Sequence, residues 1–286
     1  TEVNLRLRAA VYNEHEKYKS AAADFTRLLS SHPDNIMAST YLWRRGACYK
    51  EMGMYNLAID DLTASFELDT TDALVMALIA DCYRLSGDFK QSVATFQRAI
   101  DINPESGWLY YRKSWTEEMD SNYTASLADI NVAIELDSSY AYSYLQRAGL
   151  YEKFFHNMPV ARKDYESILL RDTAVVLQGN CRQYALARLG RGAEARAFVH
   201  QILQIYPNGG NYYDAACTYS LLGEKDSALY FLNAGVDAGF RDIHHAQADD
   251  ELDAIHGMKG FQELVLRTKK LIVAETGEET AFMASF

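Results

Sequence analysis

Positive charge is in short supply. The chain carries 28 Lys and Arg against 39 Asp and Glu, a formal net charge of −11. Such a chain repels phosphate, and nucleic-acid binding would need a local basic stripe, so nucleic acid is not expected as a partner. No apolar run approaches the roughly 20 residues of a membrane span, and no secretory signal is visible. The chain begins at Thr1 without a methionine. It therefore reads as a processed form or a piece, with either a cytoplasmic setting or, after signal removal, an exported one. Catalytic signatures are missing as well: there is no Gly-rich phosphate loop, no GxSxG, no HExxH and no CxxC. Phosphate-cradling, nucleophile-elbow and zinc chemistries all lack their sequence support. His244, His245 and His256 lie near the acidic run Asp249-Asp250-Glu251 but without a defined ligand spacing, and a solvated acidic loop is expected there. No cofactor, metal or catalytic residue is expected.

What the chain has is a period. A turn aromatic recurs at Tyr18, Tyr55, Phe89 and Tyr123, in steps of 37, 34 and 34 residues. A small residue three places later recurs at Ala21, Ala58, Ser92 and Ser126, and then at Ala161, Ala195 and Ala228. A fixed period of this length means an array in which each unit packs on its neighbours. Each unit reads as two helices. In the second, Leu42, Gly46 and Tyr49 form one apolar and small stripe, Gly53 ends the helix, and Leu57, Ala58, Leu62 and Ser65 form the next stripe. Cys48, Cys82, Cys181 and Cys217 each fall in a first helix of a different unit. Equivalent places on stacked helices lie roughly 10 Å apart, beyond the reach of about 7 Å that a disulfide allows. All four read as small packing residues.

A second regularity is electrostatic. A base in the first helix recurs with an Asp in the second: Arg8 with Asp24, Arg45 with Asp61, Lys113 with Asp129, Arg147 with Asp164. The third unit has Ile79 and Thr95 instead, losing both partners together. An ion pair between the two helices of one unit is expected.

The residues Gly46-x-x-Tyr49, Gly87-Asp88-Phe89, Phe96-x-x-Ala99 and Pro33, Pro104 and Pro207 resemble the tetratricopeptide repeat. The resemblance covers residues 2–240, as units of about 2–35, 39–72, 73–106, 107–140, 141–174, 176–209 and 209–240. A helical cap over 241–273 and a tail or linker over 274–286 follow. The fourth unit departs most, with Ser114 and Glu117 in place of the small residue and the Tyr. The resemblance implies an all-α, right-handed superhelix (an α-solenoid) of paired antiparallel helices, whose first helices line a concave groove.

By that geometry the groove residues are Trp43, Lys50, Arg84, Trp108, Tyr111, Trp115, Tyr142, Lys153, Asn180, Tyr184, Arg188 and Tyr213. Trp108, Tyr111 and Trp115 share one helix face at i, i+3 and i+7, and aromatics with scattered Arg and Lys are the composition of binding hot spots. The expected function is a non-catalytic scaffold that binds an acidic or aromatic segment of a protein partner. A clamp of Lys and Asn for chaperone tails is disfavoured, since Asn is absent from these positions apart from Asn180. Two alternatives stand beside this reading: a glycan- or small-ligand-binding protein, and the accessory region of a larger enzyme. Partner identity and oligomeric state are not legible.

Overall fold

A computed structural model describes residues 2–14, 17–31, 37–171 and 181–276. The chain forms two compact units, Thr1–Ser139 and Tyr140–Phe286.

Unit 1 contains α1 (Glu2–Glu14), α2 (Tyr18–Ser31), α3 (Ala38–Glu51), α4 (Tyr55–Leu68), α5 (Ala73–Leu85), α6 (Phe89–Ile102), α7 (Gly107–Met119) and α8 (Tyr123–Leu136). Consecutive helices pair as α1–α2, α3–α4, α5–α6 and α7–α8, and each pair packs on the next. Unit 2 begins with α9 (Ala141–Lys153), α10 (Met158–Arg171), α11 (Cys181–Arg188), α12 (Gly192–Ile205), α13 (Gly209–Leu221) and α14 (Lys225–Asp237). It ends with α15 (Ile243–Ala248), a 3-10 turn over Asp250–Leu252, α16 (Asp253–His256) and α17 (Lys259–Thr276). Helix α17 runs past residue 273 to Thr276. The proposed tail from 277 onward, together with Pro33, lies outside the described residues.

Local sequence explains where the helices start and stop. Asp72 accepts from the amides of Leu74 and Val75 at 2.9 and 3.3 Å and so caps α5. Asp88 accepts from Gln91 N at 3.1 Å and caps α6. These carboxylates satisfy amides that have no intrahelical partner and complement the positive end of the helix. The turns inside the pairs repeat one geometry. Gly53, Gly87, Gly190 and Gly223 sit at φ +72°, +84°, +75° and +76°. At Gly87, for example, Gly87 N donates to Arg84 O and Asp88 N to Tyr83 O, at 3.1 and 2.9 Å. This is the left-handed helix end that glycine adopts without strain. In α7–α8 the same two bonds form around Ser121 at φ +60°, and in α9–α10 the left-handed residue is His156 at φ +50°.

The aligned small residues fall where the helices touch. Ala21, Ala58, Ser92, Ser126, Ala161, Ala195 and Ala228 are all fully buried. A Cβ on Gly46 would lie 2.8 Å from Leu62 Cγ and 3.2 Å from Ala58 O, so only glycine fits against α4 there. The divergent fourth pair closes with hydroxyls. Ser114 Oγ donates to Ser126 O at 2.8 Å, and both serines are fully buried.

The ion pairs form as the sequence pattern predicts. Arg8 and Arg45 grip Asp24 and Asp61 through two bonds each, at 2.6 to 2.7 Å. Arg147 holds Asp164 at 2.9 and 2.7 Å, and Lys113 reaches Asp129 at 2.9 Å. Planar guanidinium on carboxylate fixes the relative register of the two helices as well as their attraction. Lys113 is shared with Glu117, which stands where the repeat has Tyr. Burial, and then the charge of Asp129, push the Glu117 carboxyl upward. In the third pair Ile79 and Thr95 stand at these positions, and both are buried and neutral.

Candidate functional site

In unit 1 the first helices bring α3, α5 and α7 side by side, and six of the sequence-predicted residues lie on them. Trp43 is half-buried and packs against the core that holds Ala58, Leu62, Val75 and Met76. The Arg44 guanidinium stands 5.3 Å from its ring centre. Trp108, Tyr111 and Trp115 are all half-buried on α7. Their spacing puts them on one helix face, and each keeps part of its ring area for contact.

Two guanidiniums thread this aromatic face. Arg84, from the last turn of α5, lies 4.3 Å from the Trp115 ring centre. Arg112, one turn from both Trp residues, lies 5.6 Å from Trp108 and 5.4 Å from Trp115. Asp81 Oδ1 accepts a hydrogen bond from Arg112 Nη2, and Arg84 Nη2 stands 3.6 Å from the same oxygen. Arg84 is 7% exposed. Burial lowers its pKa from the usual value, Asp81 opposes that, and Arg112 adds to it. Lys50, on α3, is paired with Glu51 at 2.5 Å. Arg112 is the residue that sequence reasoning missed. Its signal was present in Trp108-x-x-x-Arg112-x-x-Trp115, where i, i+4 and i+7 share one face.

Unit 2 places its predicted residues differently. Its first helices face the chain's own C-terminal segment. The Tyr213 hydroxyl donates to Asp249 Oδ2, and the Tyr213 ring stacks on Phe240 at 4.5 Å. Cys217 Sγ lies 3.7 Å from the same carboxylate oxygen. Lys153 pairs with Asp250 at 2.6 Å. Tyr184 donates to Asp214 at 3.0 Å. Arg188 donates to Glu152 at 3.0 Å, and Tyr165 donates to Glu152 at 2.6 Å. Tyr184 and Tyr213 are interior residues, only 8% and 7% exposed. They hold carboxylates of their own chain and offer no open ring face.

The basic residues expected in the groove, Lys50, Lys153 and Arg188, are likewise each matched to an acid of the same chain. Their register on the helices was legible, but their partners were not. Asp249 is 36 residues from Tyr213, and no local pattern announces that contact. Tyr142 stays half-buried, its ring 5.5 Å from that of Tyr140. Asn180 lies outside the described residues.

The acidic run is therefore not a solvated loop. Asp249 and Glu251 turn inward, with Glu251 N donating to Asp249 Oδ1 at 2.9 Å. Burial raises the carboxyls of Asp214 and Glu251 to about 7, with Asp249 adding to both. Candidate ligand atoms of Cys217, Asp249 and Glu251 lie within 4.8 Å of one another. This set does not suit a metal. Burial holds the thiol of Cys217 far above its usual pKa, Asp249 is engaged by Tyr213, and Lys153 and Arg188 already supply positive charge to Glu251. A ligating cysteine must be a thiolate.

Comparison with known proteins agrees with this architecture. Residues 73–106, which span α5 and α6, match the family model for the tetratricopeptide repeat. Superkiller complex protein 3 of Mus musculus is 22% identical over 104 residues, covering 36% of this chain and 7% of that protein. The human protein SGT1 homolog is 28% identical over 93 residues, covering 32% of this chain and 26% of that protein. The chain thus spans a small part of the length of the curated relatives it matches. A tetratricopeptide repeat protein from Parabacteroides merdae superposes with a TM-score of 0.60 at 16% identity, over 88% of this chain and 98% of that one. Residues 73–106 are thus a tetratricopeptide repeat, and the described residues share the all-α fold of paired helices seen in that neighbour. No described helix is long and apolar enough to cross a membrane.

Proposed function

We propose that this protein is a non-catalytic interaction scaffold, and that the wall formed by α3, α5 and α7 receives a segment of a partner protein. The observation that carries the reading is the face of Trp108, Tyr111 and Trp115, half-buried, rigidly mounted on one helix and interleaved with Arg84 and Arg112. Aromatic and Arg side chains on a preformed surface bind with little loss of rotamer freedom, which is why they dominate interface energetics. Trp43 on α3 extends the same surface. The tetratricopeptide fold supports the reading, as does one relative's naming as a component of a complex. In unit 2 the corresponding helices are engaged by the acidic turn of the same chain, so the partner's segment is assigned to unit 1.

The test is affinity capture from the source cells with the wild type and with Trp108→Ala/Tyr111→Ala/Trp115→Ala, each checked for helix content and melting. A protein held by the wild type and lost by the folded variant supports the assignment. Equal capture by both moves the site away from α7.

A further inference from the structure

We infer that the wall of unit 1 contains a carboxylate-reading subsite centred on Arg84, which takes an Asp or Glu side chain of the bound segment. This rests on the scaffold reading above and names the chemistry of its ligand.

The starting point is an accounting of donors. A guanidinium offers five N–H groups and wants planar oxygen acceptors. Three other first-helix arginines obtain them: Arg8, Arg45 and Arg147 each hold a carboxylate through two bonds. Arg84 does not. Its Nη1 reaches only the Met119 sulfur, at 3.9 Å. Its Nη2 stands 3.6 Å from Asp81, too far for a hydrogen bond. Its Nε is buried with no acceptor among the described residues, and so is the Nε of Arg112. Arg84 is 7% exposed, and with no oxygen in hydrogen-bond reach among the described residues, Asp81 at 3.6 Å and the Trp115 ring offset only part of its desolvation.

The charge count points the same way. Asp81 is engaged by Arg112, so two guanidiniums share one carboxylate and one positive charge is left over. A single excess charge matches a monoanionic carboxylate better than a phosphate group of nearly two charges. The tryptophans prepare the site. Trp115 lies against both guanidiniums and Trp108 against one. A guanidinium against an aromatic ring can still direct its remaining N–H groups to an oxygen acceptor. Arg84 would thus be the polar anchor at the centre of an aromatic patch, and an apolar or aromatic neighbour of the acid would rest on Tyr111 and Trp115.

The experiment selects binders from a displayed library of short random segments on the full chain, then measures individual segments by the fluorescence of the three Trp. The selected wild-type binders should share an Asp or Glu at one position. Changing that acid to its amide should weaken binding about tenfold or more, the span of a charge-assisted hydrogen bond. In Arg84→Gln the same change should have almost no effect, because the partner of the acid is gone. Asp81→Asn should act in the opposite direction and tighten acidic segments, since it removes the competing carboxylate. Melting curves establish that both variants fold.

Selected segments that lack a common acid overturn the inference, and so does an acid-to-amide cost that persists unchanged in Arg84→Gln or a weakening by Asp81→Asn. In each of these cases the scaffold reading survives if the segments are lost in the triple aromatic variant. If no segment is selected, or if binding survives the triple variant, the scaffold reading fails and the subsite fails with it.

Discussion

Asp61→Ala tests how much the recurrent ion pair contributes. Arg45 and Asp61 are joined by bonds of 2.6 and 2.7 Å, and their side chains are 18% and 11% exposed. An exposed pair would contribute about 0.2–1 kcal/mol, and removing one partner of a fully buried pair costs about 3–5 kcal/mol. Arg45 stands between these limits. After Asp61 is lost it still reaches Thr26 Oγ1, at 3.1 Å, and some solvent. A loss of about 2 kcal/mol follows, near the middle of the range for hydrogen bonds to charged groups. For a unit of this size that lowers the melting temperature by about 6–8 °C.

The chain supplies its own control, because Ile79 and Thr95 replace this pair in the next repeat. Arg45→Ile/Asp61→Thr should therefore cost much less than Asp61→Ala alone, since no buried charge is orphaned. Trp fluorescence is a suitable readout: Trp43, Trp108 and Trp115 are the only three Trp, and all lie in unit 1. Binding by the α7 face should be unchanged. A single-variant loss under about 0.5 kcal/mol, or a double variant as unstable as the single, refutes the reasoning.

Three further outcomes are expected. Ser121→Gly should raise the stability of unit 1 by about 1 kcal/mol in denaturant titration, because Ser121 holds a left-handed φ of +60° at a turn where four other pairs use glycine. Gly209→Ala should lower the stability of unit 2 by about 2–3 kcal/mol, since the added Cβ would fall 2.5 Å from the backbone nitrogen of Phe240 and only the main chain can yield. The cap should loosen as pH rises. Asp214 and Glu251 have folded-state pKa values of about 7, raised by burial from 3.8 and 4.5. Their contribution is complete below the lower values and is lost as pH rises through about 7. The groups around them do not reverse this. Tyr184, Tyr213 and Cys217 are all raised above their usual values and stay neutral, and Lys153 and Arg188 reduce the rise at Glu251 without abolishing it. Amide protection in α15–α17, corrected for intrinsic exchange, should fall from about pH 4 to about pH 7 and level off above it, and less steeply in Asp214→Asn.

The repeat was legible because its constraints are local and recur. Ala58, Ser92 and Ser126 are small because two helices touch there, and the Arg–Asp pairs are spaced by one helical hairpin. The aromatic face of α7 was legible for the same reason, since i, i+3 and i+7 lie within one helix. Contacts that join distant segments were not. Nothing in Lys153, Tyr213 or Asp249 taken singly says that the first helices of unit 2 hold an acidic turn from the end of the chain. Arg84 is expected from its register to line the groove. Its burial beneath Trp115 depends on the approach of α5 to α7, which the period sets only coarsely.

The most direct test of the central claim places a photoreactive amino acid at Tyr111, on the α7 face, and at Lys90, an exposed position on α6, and irradiates each protein in lysate of the source cells. The account predicts a crosslinked protein from position 111, competed away by unlabelled wild type and absent from position 90. Crosslinks from position 90 alone, or the same products from both positions, would contradict it.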